Sequence, residues 1–175
     1  MKEGDHFGEI AMIYKCRRSS SVSSLNYNTM AILDEEKFKS LVSEYPDYLK
    51  FLKGHLQKYR DPKKSFLLTT MQRVEFFQGI CKEAQHDIIY SLKPKYYEKG
   101  QTLLKPDEQS DQLYFVEDGV LEIYSTFEGN EFIFDRLYCG SVLNYRSFFM
   151  EDMIYVYVKC ATNTTILSID VPALD

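Results

Sequence analysis

The chain has 175 residues, 45% hydrophobic and 27% charged, a balance that excludes disordered, collagen-like and coiled-coil classes and fits one ordinary domain or two small ones. A formal net charge of -5 with a pI near 5.3 argues against nucleic acid or an anionic membrane as the default partner. The 14 Tyr and 12 Phe supply rings for a packed core.

No apolar run follows the basic start, and no stretch approaches the ~18 apolar residues of a membrane span, so neither a signal peptide nor a span is expected. The cysteines Cys16, Cys81, Cys139 and Cys160 are scattered without CxxC spacing, which predicts buried, reduced thiols in a cytoplasmic protein. In chain order, Ser21–Leu25 and Met30–Leu33 read as β-flavoured stretches. Asp34 is placed to cap a helix with acids in its first turn, and Phe38, Leu41, Val42 and Tyr45 follow at helical spacing. Pro46 suits the start of a second helix with Leu49, Leu52, Leu56 and Tyr59 on one face. Arg60-Asp61-Pro62-Lys63-Lys64 is a polar breaker and the candidate domain boundary. A short helical segment from Phe66 to Arg73 and a helix from about Lys82 to Leu92 precede a strand-rich region that opens at Pro94. There, Leu113–Val116 and Val120–Tyr124 flank Asp118-Gly119, a hairpin signal. A second turn at Glu128-Gly129-Asn130 precedes Glu131–Phe134, and further strands are expected near Tyr155–Ala161 and Thr165–Asp170. The expected fold class is α+β: an antiparallel β-roll or barrel with helices at its front.

Phe7-Gly8-Glu9-Ile10-Ala11 through Arg18-Ser19-Ser20-Ser21-Val22 has the parts of an anion site. Gly8 lets a ligand approach the backbone, and Glu9 offers a carboxylate to a sugar hydroxyl. Ile10–Tyr14 can form one helical turn whose N–H groups face a phosphate. Arg18, nine residues after Glu9, can return from the next strand as a planar fork for phosphate oxygens. This segment resembles the phosphate-binding cassette of cyclic nucleotide-binding domains, over 16 positions without a gap, as in regulatory subunits of cyclic-AMP-dependent protein kinase. The resemblance implies that Glu9 binds the ribose 2′-hydroxyl and Arg18 the cyclic phosphate. It places the backbones of Gly8, Ile10 and Ala11 around the phosphate, and Ser19 near phosphate and base. The helices over 34–59 are similar to the hinge and lid helices that follow the cassette in the family. Arg17 stands where Pro is common and Ser19-Ser20 replace an Ala pair; a hydroxyl after Arg18 tilts the ligand slightly towards cGMP over cAMP.

Residues 76–170 resemble the same fold, through Tyr97-Glu98-Lys99-Gly100-Gln101 and Leu113-Tyr114-Phe115-Val116-Glu117-Asp118-Gly119. Here the cassette is broken. Gly140-Ser141-Val142-Leu143-Asn144 stands where the Gly-rich, acidic start belongs, Ile154 falls near the Arg position, and Arg146 comes too early, so this unit is expected not to bind. The double-stranded β-helix (jelly-roll-like) fold is then expected as the C-terminal part of one domain over 1–60, a linker helix over 61–75 and a second domain over 76–175. Because the family's cassette follows several strands and its second pair of helices would begin at Val171–Asp175, the chain reads as a piece of a longer polypeptide.

The resemblance implies a cyclic-nucleotide sensor without catalysis or cofactor, with a kinase catalytic subunit, a channel core or a structural (ciliary or cytoskeletal) assembly as protein partner. No P-loop, HExxH or GxSxG is present. Arg17-Arg18-Ser19-Ser20 also matches a basophilic kinase target with Ser20 as acceptor, and phosphate there would compete with a cyclic phosphate; the plain alternative is that Ser20 starts a strand. His6, His55 and His86 are read as ordinary surface or helix residues.

Overall fold

The structure is a computed structural model and describes residues 1–56, 58–59, 61–108, 110–150 and 153–170, with the side chains of Phe149 and Met150 excepted. Seven helices are described: α1 (Glu9–Tyr14), α2 (Glu35–Glu44), α3 (Pro46–Leu56), α4 (Pro62–Met71), α5 (Glu75–Gln78), α6 (Lys82–Ser91) and α7 (Tyr145–Met150). The strands are β1 (Lys93–Tyr97), β2 (Thr102–Leu104), β3 (Gln112–Asp118), β4 (Leu121–Phe127), β5 (Asn130–Leu137), β6 (Val142–Leu143), β7 (Tyr157–Cys160) and β8 (Thr164–Asp170). They form two four-stranded sheets, in the orders β1-β8-β3-β6 and β2-β7-β4-β5, with every pairing antiparallel. The architecture is the expected antiparallel β-roll with flanking helices.

Side-chain caps start two of the helices, α2 and α4. The Asp34 carboxylate accepts from the Lys37 N–H at 2.9 Å, and Asp61 accepts from Lys63 N–H at 2.9 Å just before Pro62 opens α4. Both are N-caps that satisfy otherwise orphaned donors. Thus the segment 61–64, read from sequence as a breaker, starts a helix. Lys64 is buried and its Nζ donates to the Leu56 carbonyl at 3.2 Å, capping the end of α3. Gln85 holds the turn before α6 by donating to the carbonyls of Phe77 (3.1 Å) and Ile80 (3.0 Å).

Two apolar clusters meet along the paired strands β3 and β8. On one side Leu113, Phe115, Leu167 and Ile169 pack with Leu67, Met71, Phe77, Ile88 and Ile89 from the helices. On the other, Tyr114, Val116 and Ile166 pack with Leu104, Leu121, Val158 and Cys160 of the second sheet. Alternation along a strand sends successive side chains to opposite faces, so these two strands are buried on both.

Several expectations fail for long-range reasons. Asp118-Gly119 does not close a hairpin: β3 pairs with β8 and β6, β4 pairs with β5 and β7, and the turn carries the chain from one sheet to the other. Gly119 has φ +95, and a Cβ there would lie 2.5 Å from Thr164 Oγ1 and 2.7 Å from the Asn163 carbonyl. The stretches at 21–25 and 30–33 form no strand: among the described residues no strand pairs with either. Tyr155 lies outside β7 and is exposed. Of the four thiols, all free, Cys160 is buried but Cys81 and Cys139 are exposed. The helices expected at 171–175 lie outside the described residues, as does Arg60 of the breaker.

The Glu128-Gly129 turn is as expected: φ of +50 and +80 at its two central residues matches the twist of a two-residue hairpin. β5 forms a sheet edge, and its pairing with β4 jumps between Ile123/Asp135 and Tyr124/Ile133, leaving Phe134 as a bulge.

A Gly119→Ala variant adds left-handed strain to a steric clash, so it should lose about 2 kcal/mol or more of stability. Urea denaturation followed by circular dichroism measures this, and a change below ~0.5 kcal/mol contradicts the close approach to Thr164.

Candidate functional site

Gly8 sits at φ +88 before α1. An added Cβ there would also crowd the Arg18 guanidinium, whose Cζ is 3.2 Å away, so a side chain at this position would strain the backbone and displace the Arg18 head group. The six residues of α1 end at Lys15, itself left-handed at φ +51. Residues 15–34 then run without helix or strand and bring Arg18 back, its Nη1 donating to the Gly8 carbonyl. Arg18 therefore reaches its place from an irregular segment, not from the expected strand. Phe7, Gly8, Ile10, Ala11, Arg18, Ser19, Ser20 and Val22 line a cavity of about 290 Å³.

Five of the six expected site residues, Gly8, Ile10, Ala11, Arg18 and Ser19, thus share one cavity. Glu9 does not. It lines a neighbouring groove of about 460 Å³ with His6, Tyr48, Phe51, Leu52, His55, Leu56, Lys58 and Tyr59. Its Oε2 is buried without a hydrogen-bond partner. Burial first, and then the Glu9 carboxylate, push the Tyr59 phenol above its ordinary range.

Beneath the site stands a cluster that sequence reading did not single out. Tyr14, at the end of α1, stacks on Tyr90 of α6 with ring centroids 4.3 Å apart. Lys53 of α3 lies 5.2 Å over the Tyr14 ring and makes an ion pair with Asp87 of α6 at 2.9 Å. Burial and then Asp87 hold the Tyr14 phenol well above its ordinary value. Burial, with a smaller contribution from Asp61, pushes Tyr90 up to about 12. Three helices far apart in sequence are thereby joined at one point. The available signal was Asp87, an acid set against Ile88-Ile89 in a helix whose other face is core.

The segment before α7 repeats the local geometry before α1 with different chemistry. Asn144, at φ +68, precedes the six-residue α7 as Gly8 precedes α1. Its side-chain amide is committed to structure, donating to the carbonyls of Ser110 (3.1 Å) and Gln112 (2.8 Å). Tyr145 takes the place that Glu9 has in the first segment. Ile154, near the expected Arg position, is buried against the inter-sheet core. Arg73, just past α4, donates to the Gly140 carbonyl at 3.2 Å, so the helix before the roll is tied to the turn that precedes β6.

The two antiparallel sheets, fronted by helices and with the short α7 before the last two strands, define a double-sheet β-roll. Residues 94–175 match the family model for the cyclic nucleotide-binding domain. Among curated proteins, the chain is 22% identical to the cGMP-dependent protein kinase egl-4 of Caenorhabditis elegans, over 74% of this chain and 15% of the kinase. It is 24% identical to the cAMP-dependent protein kinase regulatory subunit of Schizosaccharomyces pombe, over 72% of this chain and 27% of that protein. The chain therefore spans a minor part of the length of these relatives. The solved structure of cAMP-bound PfPKA-R superposes with a TM-score of 0.60 at 17% identity, covering 66% of this chain and 42% of that one. Among the described residues no helix is long and apolar enough to cross a membrane, and no group of three or more potential metal ligands is found.

The Tyr14–Tyr90 pair makes a signed pH dependence. An unfolded tyrosine loses its proton near pH 10, whereas folded Tyr90 keeps it to about 12. Stability should therefore be intact below pH 10 and fall as pH rises from 10 towards 12. Urea midpoints across this range should decline, and the decline should be visibly shallower in Tyr90→Phe; identical slopes in both proteins contradict the burial of this phenol.

Proposed function

We propose that the chain is the responsive part of a cyclic-nucleotide-controlled regulator, non-catalytic itself, in which the segment around Gly8 and Arg18 takes the ligand and the roll over 76–175 does not. The observation that carries this reading is the single cavity shared by Gly8, Ile10, Ala11, Arg18 and Ser19. In it, Arg18 trades the Gly8 carbonyl for the cyclic phosphate, a charged acceptor that forms the stronger, forked pair. Glu9 swings from its groove to accept a ribose hydroxyl, relieving a buried, unpaired oxygen. In this division residues 1–60 complete the ligand-binding domain, 61–75 link, and 76–175 form the second domain.

The output passes through Tyr14. A ligand that displaces α1 moves this ring, which α3 holds through Lys53 and α6 holds through Tyr90 and Asp87. Differential contacts to α1 then select between positions of the α2–α3 pair, a population shift and not a new fold. α2 and α3 carry the exposed Leu41, Tyr45, Tyr48 and Phe51, a surface suited to a protein partner such as a kinase catalytic subunit. A second reading, a docking block without ligand, is favoured by the internal commitment of Asn144 and the burial of Ile154 in the second unit.

Calorimetric titration with cAMP and cGMP separates the two. Binding to the wild type, weakened tenfold or more (at least ~1.4 kcal/mol) by Arg18→Ala and by Glu9→Ala, supports the sensor. Unchanged binding in both variants places the site elsewhere, and absence of binding at millimolar nucleotide favours the docking block.

A further inference from the structure

Ser20 lies where three independent features coincide. Arg17 and Arg18 precede it by three and two residues, the cation spacing that arginine-directed serine kinases read with acidic clefts. The backbone around it forms no helix or strand, and residues 17–34 are exposed throughout. An acceptor hydroxyl can therefore be drawn out into a kinase cleft without unfolding any element. Third, Ser20 lines the same cavity as Arg18, Gly8, Ile10 and Ala11.

We propose that Ser20 is the phosphoacceptor of an arginine-directed serine kinase, and that the attached phosphate occupies the Gly8–Arg18 cavity and keeps a cyclic phosphate out. In the transfer, Ser20 Oγ forms a bond to the γ-phosphorus of ATP. The bridging bond between the β- and γ-phosphates breaks, ADP leaves, and the hydroxyl proton passes to the base of the kinase. The product carries close to two negative charges and three acceptor oxygens. Arg18 stands two residues away, and its five donors fit such an anion better than the single neutral carbonyl of Gly8 that it now holds. The neighbours do not share this placement. Ser21 is absent from the cavity lining, and Ser19 has no arginine three residues before it. The acceptor half of the proposal stands without the sensor reading; the exclusion of a cyclic phosphate rests on it.

The test takes the full chain, ATP with Mg²⁺, and the catalytic subunit of cyclic-AMP-dependent protein kinase as probe. Peptide mapping by mass spectrometry should find close to one phosphate per chain on Ser20, none there in Ser20→Ala, and at least tenfold slower incorporation in Arg17→Ala. No incorporation, or incorporation confined to Ser19 or Ser21, overturns the acceptor. On the phosphorylated chain, ³¹P NMR titration should place the second phosphate ionisation below its ordinary value near 6 in the native protein and return it there in urea. Equal values in both states overturn the docking at Arg18. Parallel calorimetry should show cAMP or cGMP binding at least tenfold weaker after phosphorylation, and equal affinities overturn the exclusion. If the unmodified chain binds neither nucleotide, the sensor reading fails and the exclusion with it, while mapping and NMR still decide the acceptor and its docking.

Discussion

The paired strands β3 and β8 set the terms for everything else. Both of their faces are buried, so each successive residue must be apolar or satisfied by a neighbour, and each face must find its own cover. Leu113, Phe115, Leu167 and Ile169 require the helices; Tyr114, Val116 and Ile166 require the second sheet. Two layers of partners around one strand pair make the roll cooperative, because losing either cover exposes part of the same two strands. Among the helices, α6 is the most constrained by this arrangement. Ile88 and Ile89 are in the core, while Asp87 and Tyr90, one position to either side, face outward towards α1 and α3.

That rigid base sets how the segment around α1 is held. α1 has only six residues and no buried side chain of its own, too short to persist by backbone hydrogen bonding. What holds it is Tyr14 stacked on a ring anchored in α6, with Lys53 across the other face. The Lys53–Asp87 pair is partly shielded from solvent, which raises its worth above that of a fully exposed ion pair. A weakly self-stabilised helix on a strongly held base is an arrangement in which the proposed anion near Gly8 would shift geometry without disturbing the core.

Much of this was legible in the sequence, and the failures share a cause. Helices over 35–44, 46–56 and 82–91 follow from caps and apolar spacing, both local quantities. The turn at Glu128-Gly129 follows from left-handed residues. Asp118-Gly119 makes the same local demand, yet it joins two sheets, because which strand lies beside β3 is decided by hydrogen bonds to residues some 50 positions away. Strand character at 21–25 went unrealised for the same reason: a strand needs a neighbour that no local pattern supplies. At the site, the spacing from Gly8 to Arg18 was enough to bring those two together. Spacing could not say on which side of a one-turn helix Glu9 would emerge, and it emerged towards α3. The Tyr14–Lys53–Asp87 cluster left only the faint signal of Asp87 beside Ile88-Ile89, because its members are ordinary helix-surface residues until three helices meet.

The bulge at Phe134 bears on how this chain can change over time. β5 is an open edge carrying Phe132, Ile133 and Phe134, all exposed. A flat apolar edge of this kind is a template for any strand that meets it. One extra residue breaks the spacing of its free backbone groups, and Asp135 and Arg136 follow at once. Point substitutions along β5 leave that irregularity in place. A one-residue deletion removes it and restores a regular row of backbone donors and acceptors along the edge. The edge should therefore drift readily by exchange of residues across a lineage, yet be guarded against changes of length.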